Sequence, residues 1–357
     1  MAVLIDATTA EHARGIRTVI LGVLGELPHV THERTIVAAG GSLPSVEGLP
    51  IRRVALAQSR PGRLLYQRLL LPFDASRLDK GGEGIDRVLL LDAYAPLFRV
   101  HLRYAALVHD VLPLTHPQFW PPAKRLVKRR AFSSLRRVEA TLLTSTEYNA
   151  REIQRLLGVK PRVIRFGCGQ LTDSEADAAR NSRLPEREPY LVYVGAFEPR
   201  KDVLSLIEMF DLAVSRGADS ALKLVGSGDL AYVAAVKARI AASPYRERIE
   251  VVTQAPRDVA LRLLRHATAL IFPTLAEGFG LPILEALALG TPVVASDLDS
   301  IRSWAGDAVF YARPFDPRDW LESIAAAAAS GAVHRRSGQA LAAGYRWRHC
   351  VVEMLTF

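Results

Sequence analysis

Cysteine is scarce in this chain: its 357 residues include only two, Cys168 and Cys350. Two cysteines so far apart form neither a disulfide framework nor a metal knuckle, whose ligands come in closely spaced pairs. Such cysteine usage is typical of a reducing compartment, and we expect a cytoplasmic location.

Long apolar runs are lacking as well. The longest, TVILGVLG and ALIFPT, are much shorter than the roughly 20 apolar residues that a transmembrane helix needs. The N-terminal MAVLIDA has no basic residue before its apolar stretch, so it predicts a first β-strand rather than a signal peptide. With 49% hydrophobic and 23% charged residues, the composition is that of a globular protein. The length suits two domains.

Acidic residues are too few in the first half to balance its basic ones. Residues 1–170 contain 25 Lys and Arg against 14 Asp and Glu, the remainder contains 21 against 23, and the whole chain carries +9. The asymmetry indicates an anionic partner for the first half, with a merely solubilising surface as the alternative. No recognised nucleic-acid motif accompanies the charge, so we do not expect nucleic acid to be that partner.

Short apolar strands alternate with helical patterns along most of the chain. The predicted strands are AVLIDA, RTIVAA, IRRVALA, RVLLLDA, AALVHD, ATLLTS and RVIRFG, then YLVYVGA, ALKLVGSG, IEVVTQA, TALIFPT, PVVAS and AVFYAR. This alternation is typical of parallel sheets covered by helices on both faces. We expect two doubly wound Rossmann-like α/β domains at 1–169 and 190–340, joined by a polar linker at 170–189. The cleft between them is the expected ligand site, and 341–357 is predicted to form a last helix.

One segment, LAEGFGLPILEALALGTPVVASD, places Glu277 and Glu285 on either side of a strand–turn–helix junction. Pro282 suits the first turn of the helix and Gly290 its end, so the turn before it presents backbone amides at a helix N-terminus, where phosphate oxygens bind. The two carboxylates are then placed to accept hydrogen bonds from hydroxyls of an elongated ligand. The alternative is an ordinary junction with both glutamates solvated.

Two stretches carry a family resemblance. FPTLAEGFGLPILEALALGTPVVASD and YVGAFEPRKDVLSLIEMF resemble the signatures of retaining glycosyltransferases of the GT-B fold, family four (glycosyl transferases group 1). The resemblance implies two Rossmann-like domains facing a central cleft, with the C-terminal helix crossing back to the first domain. It also implies a nucleotide-diphosphate sugar as co-substrate and no required metal or other cofactor. No Asp-x-Asp metal pair occurs in a suitable loop.

The resemblance assigns roles to residues of the second half. Glu285 would hold the ribose hydroxyls, Glu277 would face the donor sugar, and Arg200 with Lys201 would neutralise the diphosphate. A fixed cation pair stabilises a leaving diphosphate without a metal; a solvated basic turn is the alternative. Sugar, phosphate and nucleotide contacts are expected from backbone at Gly278, Phe279, Gly280, Leu281, Gly195, Gly226 and Ala255. For Gly226, a plain tight turn explains the sequence equally well.

In the first half, the resemblance points to Gly15 and His109. Gly15 stands at a helix start after the first strand, like the family's glycine loop, and His109 ends a strand as in a His-Asp pair beside the donor sugar. A structural histidine is the alternative. WPPAKRLVKRRAFSSLRRVEA is a basic amphipathic helix that either lies on anionic lipid or packs on the sheet with its charges solvated. A lipid-diphosphate-linked acceptor would suit the basic surface.

These observations predict a retaining hexosyltransferase that acts on a glycan or lipid-linked hydroxyl acceptor, in the cytoplasm or at the inner face of the membrane. The resemblance is strongest to the mannosyl- and rhamnosyl-transferring polysaccharide branch, which favours GDP-mannose as donor. The alternatives are a UDP- or dTDP-sugar donor with a small-molecule acceptor, a sugar-nucleotide epimerase, and a non-catalytic sugar-nucleotide-binding subunit.

Overall fold

The computed structural model describes residues 2–11, 14–31, 33–41, 43–78 and 84–357. The chain forms two compact units. The first comprises Met1–Gly169 together with Tyr345–Phe357, and the second comprises Gln170–Gly344. Each unit is a parallel β-sheet with helices, as the alternating sequence pattern predicts.

The sheet of the first unit has seven strands in the order β3-β2-β1-β4-β5-β6-β7, and every neighbouring pair is parallel. Its apolar strands are buried because helices cover the sheet. The order reverses between β1 and β4, the point at which ligands bind in open α/β sheets. The strands are β1 (Ala2–Asp6), β2 (Arg34–Ala39), β3 (Ile51–Arg53), β4 (Ile85–Leu90), β5 (Arg103–Leu107), β6 (Thr141–Thr144) and β7 (Arg162–Val163).

One predicted strand of this unit is shorter than expected. IRRVALA forms strand only over Ile51–Arg53, because a 3-10 helix follows at Ala55–Gln58. The helices are α1 (Arg14–Val30), α2 (Arg60–Leu65), α3 (Leu71–Leu78), α4 (Leu112–Thr115), α5 (Pro122–Arg137) and α6 (Glu147–Leu157). A π-helical turn, Tyr66–Leu70, joins α2 to α3.

The basic helix α5 packs on the sheet through its second half only. Its second half packs on the sheet, with Phe132 and Leu135 in the hydrophobic core. Its first half leaves Leu126 and Val127 exposed, at 49% and 38% of their surface. Among the described residues, no helix is both long and apolar enough to cross a bilayer.

The last helix, α15 (Trp347–Leu355), belongs to the first unit. Its Trp347 ring is buried, stacks on Phe166 at 6.3 Å and donates a hydrogen bond to the Gly169 carbonyl. A Cβ atom on Gly22 of α1 would lie 2.2 Å from this ring, so only glycine leaves room for it. The chain thus crosses back to the first unit, as the family resemblance implies. Cys350 is fully buried, which fits a packing role.

The sheet of the second unit has six parallel strands in the order β10-β9-β8-β11-β12-β13, with its reversal between β8 and β11. The strands are β8 (Glu188–Phe197), β9 (Ala221–Gly228), β10 (Ile249–Val252), β11 (Ala267–Phe272), β12 (Val293–Ser296) and β13 (Phe310–Ala312). The helices are α7 (Asp173–Asn181), α8 (Val203–Ser215), α9 (Leu230–Ala241), α10 (Arg257–His266), α11 (Leu281–Leu289), α12 (Asp299–Ala305), α13 (Pro317–Ala329) and α14 (Ala332–Ala342).

The segment 170–189, predicted to be a linker, is instead part of the second unit and contains α7. A capping box starts this helix: Thr172 accepts a hydrogen bond from the Glu175 amide, and Glu175 accepts one from the Thr172 amide. The sequence pattern did not predict this helix because its apolar content is low. Two capping residues and Arg257 fix the start of the helix, and it has no wide apolar face.

Candidate functional site

The loops after β8 and β11 meet at the reversal point of the second sheet. After β8 the chain makes a 3-10 turn at Pro199–Lys201, and after β11 it runs through Pro273–Gly280 into α11. The Leu275 amide donates to the Arg200 carbonyl at 2.7 Å and the Thr274 hydroxyl to the same oxygen at 3.1 Å. These bonds hold the two loops together.

A buried cation–carboxylate cluster joins the same loops. The Lys201 ammonium donates to Glu277 Oε2, and Arg200 Nη1 lies 3.5 Å from that oxygen. Arg200 also donates to the Ala276 carbonyl at 3.0 Å and pairs with Glu198 at 2.6 Å. The structure therefore brings together Arg200, Lys201 and Glu277, which sequence reasoning assigned to one ligand.

Opposing effects set the charge of Glu277. Burial raises the pKa of its carboxyl, but the charges of Lys201 and Arg200, with hydrogen bonds from Lys201 and the Gly278 amide, lower the pKa to about 2. Burial also lowers the pKa of Lys201, against the effect of Glu277. Glu277 is thus a fixed carboxylate that can accept hydrogen bonds at neutral pH.

The turn before α11 has the glycines that its geometry needs. Gly280, the residue before the helix, has φ +93°, a left-handed conformation that favours glycine. The Gly278 amide donates to Glu277 Oε1 at 3.1 Å, so this amide holds the carboxylate in the structure. Phe279 is buried and stacks on Trp304 with ring centroids 4.6 Å apart. Leu281 opens α11.

Glu285 is buried inside α11, with 2% of its surface exposed. Its Oε1 accepts a hydrogen bond from the Gln170 amide at 2.8 Å. Burial raises the pKa of Glu285 to about 7, and the hydrogen bonds from Gln170 and the charge of Arg257 offset this only in part. Arg257 also binds the Gln170 carbonyl at 2.6 Å, which fixes this segment to α10.

Gly195 and Gly226 are partners across the β8–β9 ladder. A Cβ atom on Gly226 would lie 1.9 Å from the Gly195 carbonyl oxygen, so glycine is required for the two strands to approach. Ala255 lies in the turn after β10, next to Gln254 at φ +53°. The nucleotide contacts expected of these three residues remain predictions.

His109 and Gly15 lie in the first unit. His109 follows β5 and its Nε2 is 3.0 Å from the Leu91 carbonyl oxygen; burial lowers the pKa of the ring. Gly15 is exposed in the first turn of α1, with no atom within 4 Å of where a Cβ would stand. The roles expected of both residues remain predictions.

Sequence reasoning missed three residues of the second-unit site. Thr274 is fully buried and bridges the two loops, Trp304 stacks on Phe279 and donates to its carbonyl at 2.9 Å, and Gln170 holds Glu285. The buried Thr274 after an apolar strand was a usable signal. Trp304 and Gln170 are far from their partners in sequence, so no local sequence signal pointed to them.

A pair of cations, a carboxylate and a helix start therefore meet at one sheet reversal, and a second carboxylate, Glu285, lies inside the same helix. This combination suits a ligand that carries both a diphosphate and hydroxyl groups. Among the described residues, no three His, Cys, Asp or Glu side chains cluster as a metal site would require.

Comparison with known proteins agrees with this chemistry. Residues 174–340 match the sequence model of the family described as "Glycosyl transferases group 1". This match covers most of the second unit. The chain is 27% identical over 217 residues to O-antigen chain mannosyltransferase B of Escherichia coli, covering 58% of this chain and 56% of that protein.

A second relative is the phosphatidyl-myo-inositol mannosyltransferase of Mycobacterium tuberculosis. The two are 34% identical over 164 residues, which cover 45% of this chain and 41% of the relative. The chain thus spans about half the length of the curated relatives it matches. The solved sucrose-phosphate synthase of Thermosynechococcus elongatus superposes with a TM-score of 0.73 at 16% identity, over 99% of this chain and 97% of that one. The chain therefore has the GT-B fold.

Proposed function

We propose that this protein transfers a sugar from a nucleoside diphosphate donor to a hydroxyl of a glycan or lipid-linked acceptor, with retention of configuration and without a metal. The observation that carries the proposal is the buried cluster of Arg200, Lys201 and Glu277 beside the start of α11. The match of residues 174–340 to the glycosyl transferases group 1 model supports it.

The cations serve the leaving group. As the bond between the anomeric carbon and the diphosphate oxygen breaks, negative charge grows on that oxygen, and Arg200 and Lys201 stabilise it. The acceptor oxygen forms the new bond on the same face, and its proton passes to the departing phosphate oxygen. No protein nucleophile is needed.

The two glutamates bind hydroxyl groups and do not transfer protons. Glu277 is ionised at any physiological pH, so it accepts hydrogen bonds from the donor sugar. Glu285 exchanges its bond with the Gln170 amide for bonds with the ribose hydroxyls. A paired acid and base, as in glycoside hydrolases, would require one carboxyl to protonate a leaving oxygen.

GDP-mannose is the donor that we propose. The names of the relatives support this choice, because those from Escherichia coli and Mycobacterium tuberculosis are both mannosyltransferases. Thermal unfolding in the presence of GDP-mannose, UDP-glucose and dTDP-rhamnose separates the donors, since stabilisation grows with ligand concentration over Kd. GDP-mannose should give the largest rise in midpoint.

Two variants sharpen this test. Lys201→Ala should abolish the rise, whereas Lys237→Ala, which removes an exposed lysine of α9, should preserve it. A larger rise with a UDP- or dTDP-sugar would overturn the choice of mannose. A wild-type protein stabilised by none of the three would contradict the transferase proposal.

The transfer step is followed by NMR with GDP-mannose and octyl α-mannoside as a hydroxyl acceptor. Retention predicts a new α-linked disaccharide and release of GDP. A β-linked product would contradict retention, and conversion of the donor to another sugar without use of the acceptor would indicate an epimerase. Activity unchanged by EDTA would support metal independence.

We also propose that the first half of α5 contacts anionic membrane. Exposed Leu126 and Val127 stand beside the exposed cations Lys124, Arg125 and Arg129. Sedimentation with phosphatidylglycerol vesicles should exceed that with phosphatidylcholine vesicles and fall at high salt. Equal binding to both lipids would contradict the electrostatic contribution.

A further inference from the structure

A second charged cluster lies at the reversal point of the first sheet. Asp6 ends β1, and Asp92 and Tyr94 follow β4, the two strands between which the strand order reverses. Side chains from α2, the π-helical turn and α5 reach the same place. The donor functions proposed above use none of these residues.

Arg63 of α2 is a buried cation that has no ion-paired carboxylate among the described residues. Only 7% of its surface is exposed, and its Nε has no hydrogen-bond acceptor within the part of the chain that the structure describes. Its guanidinium lies 5.2 Å from the centre of the Tyr94 ring. A buried charge without a paired anion is costly, which is why proteins seldom keep one without a use.

Lys128 of α5 approaches the same ring. Its ammonium is 4.3 Å from the centre of Tyr94 and 3.3 Å from Asp92 Oδ1. The basic sequence of α5 suggested that this lysine, like its neighbours, faces solvent or lipid. The structure corrects this, because Lys128 is turned toward Asp92 and only 24% of its side chain is exposed.

The two carboxylates of the cluster already have other partners. Burial raises the pKa of Asp92, but the charge of Lys128 and weaker effects lower it by more, so Asp92 is a carboxylate that pairs with Lys128. Burial raises the pKa of Asp6, whose oxygens accept from Thr8 and Gln67. Among the described residues, neither carboxylate forms a hydrogen bond or an ion pair with Arg63.

A buried acceptor also lacks a donor in this cluster. The Gln67 amide nitrogen donates to Asp6 Oδ2 at 2.7 Å, and its Oε1 has no partner among the described residues although only 1% of the residue is exposed. Gln67 lies in the π-helical turn, a distortion often found at functional sites. A ligand with an anion and a nearby hydroxyl would satisfy both Arg63 and Gln67.

We propose that Arg63 and Lys128 bind the phosphate group of a phosphate-ester acceptor, whose adjacent hydroxyl donates to Gln67. This inference rests on the proposed transferase function, which leaves the acceptor unspecified. A phosphate ester fits better than a carboxylate, because its several acceptor oxygens can bind the Arg63 guanidinium and the Lys128 ammonium at once, and both groups converge on one tyrosine ring. The phosphate is carried either by a sugar or by a lipid.

Isothermal titration of the full chain, saturated with GDP, tests the site with inorganic phosphate, glucose 6-phosphate and farnesyl phosphate. Glucose and farnesol are the neutral counterparts. Arg63→Met and Lys128→Met should each weaken binding of the favoured ester about tenfold or more, the loss expected for one charge-assisted hydrogen bond. Arg60→Met and Arg136→Met, which remove exposed cations from the same two helices, should leave Kd unchanged.

Stability separates a binding role from a structural one. Because Arg63 loses no ion pair on replacement, Arg63→Met should unfold at the same temperature as the wild type or higher. A marked fall in its midpoint, or equal binding of esters and neutral counterparts by the wild type, would overturn the proposal.

The affinity for GDP distinguishes this inference from the proposed function. Arg63→Met should bind GDP like the wild type; loss of GDP affinity by the same factor would assign Arg63 to the donor and overturn the acceptor site. A wild type that binds the ester but no nucleotide would contradict the transferase proposal and leave this site standing. The stronger of the glucose and farnesyl arms identifies a sugar or a lipid as carrier.

Discussion

Lys201 and Glu277 form a buried ion pair between the loops that follow β8 and β11. The pair crosses the reversal point of the second sheet, so each loop depends on the other for its position. It also holds a carboxylate and a cation in fixed positions where, under the proposed function, a leaving diphosphate binds.

Replacing one partner of this pair should destabilise the protein. Lys201→Met leaves the Glu277 carboxylate buried with only Arg200 nearby, and we expect the free energy of unfolding to fall by about 3 kcal/mol, the lower end for breaking a buried pair. The double variant Lys201→Met/Glu277→Leu should recover most of that loss. Urea unfolding measures both, and a double variant less stable than Lys201→Met would contradict the pairing.

The stability due to Glu277 should depend on pH in the acid range. Its folded pKa of about 2 lies below the ordinary value of 4.5, so its contribution is complete above about pH 5 and disappears as the pH falls toward 2. The difference in unfolding free energy between wild type and Glu277→Gln should therefore shrink by about 3 kcal/mol over that range. The exposed Glu322→Gln should show no such trend.

Glu285 should behave in the opposite way. Its folded pKa of about 7 exceeds 4.5, so ionisation penalises the folded state increasingly from about pH 5 to pH 8. Relative to wild type, Glu285→Gln should gain about 3 kcal/mol of stability across this interval. A constant difference, measured by urea unfolding at each pH, would contradict the raised pKa.

The same ionisation should control nucleotide affinity. If the ribose hydroxyls donate to the Glu285 carboxylate, the Kd for GDP should fall about tenfold between pH 6 and pH 8, in proportion to the ionised fraction. Glu285→Gln should bind GDP more weakly and with little dependence on pH. Titration calorimetry at three pH values decides between these outcomes.

Gly226→Ala tests the close approach of β8 and β9. The added methyl would lie 1.9 Å from the Gly195 carbonyl oxygen, so the strands must separate, at a cost of about 1–3 kcal/mol or more. Gly25→Ala, in open space on the exposed face of α1, is the matched control and should be neutral or slightly stabilising. Thermal unfolding of both variants gives the comparison.

Local sequence pattern predicts the sheets well because apolar strands and capping residues are local features. Gly290 ends α11 at φ +76°, as expected. The missed helix α7 shows the limit of that approach, since its capping box and its bond to Arg257 outweigh a weak apolar pattern.

Sequence periodicity cannot predict which distant residues contact one another. Sequence reasoning assigned Arg200, Lys201 and Glu277 to one ligand but did not predict that they contact one another. It interpreted Lys128 as one more surface cation. Whether a lysine lies on a surface or against a buried carboxylate depends on which strand ends are neighbours. That is set by strand order, a property of the assembled sheet.

The position of Trp347 has a consequence for biosynthesis. Its ring fills space that Gly22 and Gly167 leave open, yet it is made only after all of the second unit has been translated. The second unit is continuous in sequence, so all of its residues are synthesised before Trp347. Translation of the first unit begins earlier, yet this unit lacks its last helix until the second unit has been synthesised, so the unit that begins first cannot be the first to be complete in sequence.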